Sequence, residues 1–145
     1  YMYGIVGLSS AIIQGGLIGR INKLMSKKLI LIIGSILMML SLAMIPYAGT
    51  FLGLAIVSIV LSYGTGTFQP TVLSLISEVT SETEQGITLG INQSLSSFAR
   101  VLGPLWGGFA FEYLGYPLPF LTGSLFTFVI FLLTVFYLPK KIKLD

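Results

Sequence analysis

Apolar positions gather into five long runs, at about 1–19, 29–47, 51–77, 86–111 and 119–138, parted by short polar connections. A hydrocarbon core of about 30 Å needs roughly 20 helical residues at 1.5 Å each, and every run comes close to that length or passes it. The pattern therefore predicts an all-α membrane protein with five transmembrane helices. The connections are distinct in character: residues 20–28 (RINKLMSKK) are basic, 48–50 (AGT) form a tight turn, 78–85 (EVTSETEQ) are acidic, and 112–118 (EYLGYPL) turn at Gly115 and Pro117.

The runs are not equivalent. At 100° per residue, Gln93, Ser96, Ser97, Arg100, Gly103, Pro104 and Gly107 of the fourth run lie within about 60° of Arg100. Ile91, Phe98, Leu102, Leu105 and Phe109 take the other side. A weaker polar face recurs in the first run (Gly7, Ser10, Ala11, Gln14) and in the third (Ser58, Ser62, Thr65, Gly66, Gln69). The second and fifth runs carry few polar groups and no such face. Three helices are thus expected to line a cavity or interface, and two to act as supports facing lipid.

Composition removes the soluble alternative. Hydrophobic residues make up 54% of the chain and charged residues 9%, with a mean hydropathy of +0.95. Soluble domains carry about 25% charged residues. Neither Cys nor His is present, which excludes disulfides, thiol catalysis, imidazole acid–base chemistry and the commonest metal ligands. No catalytic group, metal site or cofactor is expected.

The net charge of +3 does not describe a nucleic-acid surface, because its sources sit at the ends of apolar runs. Arg20, Lys23, Lys27 and Lys28 form one cluster; Lys140, Lys141 and Lys143 form the other. With the basic loop inside, the tail 139–145 also falls inside, so that all the Lys and Arg outside the apolar runs are cytoplasmic and neither outer loop has one. The chain opens on Tyr1 at the edge of an apolar run, which reads as the last five helices of a longer protein.

Arg100 is the only charge of the fourth run, and no Asp or Glu lies within any of the five. An isolated guanidinium deep in lipid costs several kcal/mol or more, so it needs a partner or a wet cavity. It either binds an anionic substrate group, pairs with a carboxylate that responds to protonation, or locks helices together. Its carboxylate partner would come from outside the runs, from Glu112 or from helices that precede Tyr1 in the longer protein. Pro104 leaves the carbonyl of Arg100 without its helical donor, and Gly103 with Gly107 form a small-xxx-small pair that admits another backbone. Gly108 extends this element. A kinked packing helix with no ligand contact accounts for the same residues.

Gln14, Gln69, Asn92 and Gln93 each donate and accept hydrogen bonds. Singly, such amides bond across membrane helices; together, on converging faces, they are candidates for a coupling or substrate site. Gly64, Gly66 and Pro70 place a hinge or a packing adjustment in the third run. Ser81-Glu82-Thr83-Glu84 matches a capping box for the helix that follows.

These residues resemble a known group. The segment Gly15-Gly16-Leu17-Ile18-Gly19-Arg20-Ile21, followed by basic residues, looks like the loop between helices eight and nine of major facilitator superfamily transporters. Gly19 stands where the first-half copy of that loop has Asp. The run Gly64-x-Gly66-x-x-x-Pro70, then Gln85-Gly86, Gln93-Ser94 and Ala99-Arg100-Val101-Leu102-Gly103-Pro104-Leu105-Trp106-Gly107-Gly108, resembles helices ten and eleven of bacterial drug exporters, and a short loop with Pro119-Phe120 precedes the final helix. The resemblance implies a C-terminal fragment of a twelve-helix fold, helices eight to twelve, with the N-terminal half of the same protein missing. It implies a bacterial inner-membrane transporter that exports small hydrophobic compounds in exchange for protons by alternating access. Two alternatives stand beside it: a proton-coupled importer of a sugar, organic acid or other metabolite, and a membrane receptor or scaffold that keeps the fold without transporting.

Overall fold

A computed structural model describes residues 25–138. The first run, with Gln14, Gly15, Gly19 and Arg20, and the tail 139–145 lie outside the described residues. Within them, all regular structure is helical: α1 (Lys27–Met44), a 3-10 turn (Ile45–Tyr47), α2 (Phe51–Val79), α3 (Gln85–Tyr113) and α4 (Leu118–Tyr137).

Each boundary has a local cause. Ser26 caps α1 by accepting the Leu29 N–H at 3.4 Å, and Thr50 caps α2 by accepting the Gly53 N–H at 3.1 Å. Pro46 ends α1 in its 3-10 turn, and Gly49, at φ +55°, reverses the chain in a conformation that L side chains rarely adopt. Gly115, at φ +100°, does the same between α3 and α4. The expected capping box does not form as a reciprocal cap. The Ser81 hydroxyl meets the Glu84 carboxylate at 3.0 Å, while the N–H groups of Glu84 and Gln85 donate to the Ser81 backbone carbonyl. That carbonyl closes a separate turn over 82–84, so α3 begins later, at Gln85.

Three of the described helices are long and apolar enough to cross a membrane: Lys27–Tyr47, Phe51–Val79 and Leu118–Tyr137. Helix α3, 29 residues long, has the length but is not among them. Its run of Gln93, Ser94, Ser96, Ser97 and Arg100 lowers its hydropathy relative to its neighbours.

Helix α1 lies between α2 and α4 and packs on both. Its buried face is made by Ile30, Leu31, Gly34, Ser35 and Ser41. The sequence pattern assigns α1 to the lipid side, yet its small residues let two neighbours approach closely. Gly34 opposes Gly64 of α2 at the tightest point of the crossing. On the α4 side, the Ser124 hydroxyl donates to the Met39 carbonyl at 2.9 Å.

One end of this trio is fastened by two adjacent lysines. Lys27 forms a salt bridge with Glu78 near the C-terminus of α2 and donates to Ser74 Oγ at 2.6 Å. Lys28 turns the other way and donates to the carbonyls of Val135, at 2.8 Å, and Leu138 at the C-terminus of α4. Those carbonyls have no donor within their own helix, and a cation there also meets the negative end of the helix dipole.

Candidate functional site

Helix α3 carries most of the residues that the sequence marks as functional, and it is the least enclosed of the four. Ala110 is its only fully buried residue among those described. It touches α2 through its N-terminal half and α4 through its C-terminal half.

The contact with α2 forms a groove of about 170 Å³ lined by Phe68, Gln69, Val72 and Leu73 on one wall and by Asn92 and Ser96 on the other. The α3 residues lie one turn apart, at i and i+4, so both present the same side to α2. Gln69 comes to the groove one residue before Pro70, in a stretch of α2 whose hydroxyls are already engaged. Thr67 Oγ1 donates to the Tyr63 carbonyl at 2.9 Å and Thr71 Oγ1 to the Thr67 carbonyl at 2.7 Å. The two amides make no hydrogen bond among the described residues, which leaves four N–H donors and two carbonyl acceptors facing an aromatic ring and two aliphatic side chains. Such a lining suits a molecule that is mainly apolar with a few hydrogen-bonding groups. Gln85 supports one end, where its Nε2 donates to the Ser77 carbonyl at 3.1 Å.

The contact with α4 is a larger and more apolar cleft of about 810 Å³, lined chiefly by Phe98, Leu102 and Trp106 of α3 and by Phe120, Leu125 and Phe126 of α4. Its polar groups satisfy one another: Trp106 Nε1 donates to Thr122 Oγ1 at 3.1 Å, and Thr122 Oγ1 donates to the Pro119 carbonyl at 3.0 Å. Gly103 and Gly107 reach the rim of this cleft.

The structure thus brings Asn92 and Gln69 together and leaves other marked residues apart. Gln93 and Arg100 are exposed, and Arg100 forms no salt bridge or hydrogen bond among the described residues. Pro104 and Gly108 lie on the outer side of α3, and the space next to Gly103, Gly107 and Gly108 is open within 4 Å of where a Cβ would stand. Gly64 and Gly66 are buried in α2, while Pro70 is half-buried, within a helix that runs unbroken from Phe51 to Val79.

Sequence reasoning missed Phe68 and Val72, whose i, i+4 spacing beside Gln69 is the signal for a shared wall. It also read Lys27 and Lys28 as markers of topology and not as fasteners of helix ends.

A family profile described as Major Facilitator Superfamily matches residues 1–144. The chain is 30% identical over 136 residues to the uncharacterized MFS-type transporter YwoD of Bacillus subtilis (strain 168), covering 94% of this chain and 30% of that protein. It is 28% identical over 124 residues to the multi-drug resistance efflux pump PmrA homolog of Lactococcus lactis subsp. lactis (strain IL1403), covering 86% of this chain and 30% of that protein. The chain therefore spans about 30% of the length of these relatives. No solved structure matches.

Proposed function

The chain belongs to the Major Facilitator Superfamily, and from that premise we propose that it forms the C-terminal part of a proton-coupled exporter of small hydrophobic compounds. Members of the family are multi-pass membrane transporters that bind small molecules and are not enzymes.

The observation that carries export of apolar compounds is the lining of the α2–α3 groove, where amide groups of Gln69 and Asn92 sit among Phe68, Val72 and Leu73 without a fixed charge. A mostly apolar compound gains burial there and keeps its few polar groups paired. The name of the Lactococcus relative as an efflux pump supports the same direction. In this reading, the five helices of this chain join a seventh helix that completes their half and a six-helix N-terminal half, giving twelve in all, and substrate is held near the midplane between the halves. The protein sits in the bacterial inner membrane with the tail 139–145 in the cytoplasm. Arg100 acts with a carboxylate of the other half in coupling transport to protons. Gly103, Pro104, Gly107 and Gly108 receive a helix from the same partner.

Everted vesicles containing the full-length protein test this reading. With an acidified lumen, a lipophilic fluorescent cation should accumulate and then be released when the proton gradient is collapsed. Lack of gradient-dependent accumulation across a panel of such compounds, together with uptake of a sugar or organic acid in right-side-out vesicles, would replace export by import.

A further inference from the structure

The α2–α3 groove is too small for a whole drug-sized molecule. Sites for such ligands measure about 300–1,000 Å³, whereas this groove measures about 170 Å³. A cavity of about 150 Å³ is filled by one benzene ring, so the groove takes a single ring-sized group of a larger compound.

Its polar groups are set apart by what their neighbours do. On α3, the Ser94 and Ser97 hydroxyls donate to the Gly90 and Gln93 carbonyls at 2.9 Å, which ties them to their own helix. Ser96, between them, makes no such bond among the described residues and stands at the groove. On α2, the hydroxyls of Thr65, Thr67 and Thr71 are tied in the same way, and the Gln69 amide is not. Gln69, Asn92 and Ser96 therefore bring to one place three groups that each donate and accept.

No Asp, Glu, Lys or Arg lines the groove. Arg100, one turn beyond Ser96, is exposed and outside it. A ligand ammonium finds no counter-charge here. A ligand carboxylate satisfies the donors but leaves the Gln69 and Asn92 carbonyls unpaired, and its charge meets Phe68, Val72 and Leu73. A neutral group with both an N–H and a C=O matches all three polar side chains at once.

We propose that this groove is a subsite for a carboxamide or lactam borne on an aromatic ring. The ring lies against Phe68, Val72 and Leu73, and the amide exchanges hydrogen bonds with Gln69, Asn92 and Ser96. The inference rests on the groove belonging to the transport pathway and deepens that reading: the groove selects by hydrogen-bonding pattern and not by charge.

Procainamide and procaine test this. They share an aminobenzoyl ring and a charged amine and differ in one link, an amide N–H in the first and an ester oxygen in the second. Binding of each radiolabelled compound to purified full-length protein is measured at equilibrium. The wild type should bind procainamide about threefold to tenfold more tightly, the gain expected from one added hydrogen bond. The ester is the less polar compound, so the double variant Gln69→Met with Asn92→Leu, whose groove keeps only Ser96 as a polar group, should lose the preference. Equal binding by the wild type, a preference for the ester, or no binding of procainamide would overturn the proposal, and none of these outcomes depends on the variant folding. A preference that survives intact in the double variant would also overturn it. Flux in everted vesicles is read separately. A protein that prefers the amide but does not export keeps the subsite and loses the exporter reading; one that exports yet binds both compounds equally does the reverse.

Discussion

Gly64 faces Gly34 across the α1–α2 crossing so closely that a Cβ placed on Gly64 would come within 2.9 Å of the Gly34 carbonyl oxygen and 2.7 Å of Met38 Cγ. The reverse is not true: a Cβ on Gly34 would meet the Gly64 carbonyl oxygen at 3.4 Å and Phe68 at 3.5 Å, close to ordinary contact. Gly64→Ala is therefore expected to destabilise the protein by about 1–3 kcal/mol through overpacking, and Gly34→Ala by much less. Thermal unfolding of the two variants in detergent checks the asymmetry; equal losses would place the tight contact elsewhere.

The fold was legible where apolar runs and turn residues agree, and less so where contacts decide. Gly49, Gly115 and Pro117 marked the reversals, and the runs at 29–47, 51–77 and 119–138 lie close to the three helices apolar enough to cross a membrane. What could not be read was which side of α1 is buried. A Gly34-Ser35 pair carries no periodic signal of its own, and only the opposing Gly64 gives it meaning. The same limit applies to the groove. Gln69 and Asn92 were each visible as amides in apolar runs, but their shared space depends on how α3 lies against α2. The partner of Arg100 is not a property of the described residues.

Trp106 and Thr122 join α3 to α4 by a side-chain hydrogen bond of 3.1 Å in an otherwise apolar cleft. Between membrane helices such bonds contribute about 0.6 kcal/mol on average. Trp106→Phe and Thr122→Val should each destabilise slightly, and the double variant should lose less than the sum of the two. A double-mutant cycle on unfolding measures the coupling, and strict additivity would mean that the bond contributes nothing.

The Lys27–Glu78 salt bridge is partly exposed, with side chains 28% and 44% accessible, so its energy is small and screened. A coupling of roughly 0.2–1 kcal/mol is expected from Lys27→Met, Glu78→Gln and the double variant, falling as salt is raised. Reversing the pair as Lys27→Glu with Glu78→Lys should restore part of the stability lost by either change alone. No recovery would assign the role of Lys27 to its bond with Ser74.

Arg100 separates coupling from structure. In the proposed exporter, Arg100→Ala should abolish proton-driven transport in everted vesicles while the protein still inserts and accumulates in the membrane. Arg100→Lys should keep the charge but lose the planar, bidentate pairing with a carboxylate, giving slow transport. Normal transport by Arg100→Ala would remove the coupling role, and loss of membrane insertion would make the residue structural.

The groove between α2 and α3 is central to the proposed function, and its position in the transport pathway is open to direct measurement. Ser96 lines the groove beside Asn92, whereas Leu125 lines the apolar cleft next to α4. The chain has no cysteine, so Ser96→Cys and Leu125→Cys, each placed in a cysteine-free version of the full-length protein, give two single reporters. The rate at which a water-borne, membrane-impermeant maleimide labels each site is then measured with and without a transported compound. Ser96→Cys should be labelled and protected by the compound, while Leu125→Cys should remain unlabelled in hydrocarbon. An unreactive Ser96→Cys, or one labelled at the same rate with the compound bound, would contradict the assignment of this groove to the pathway.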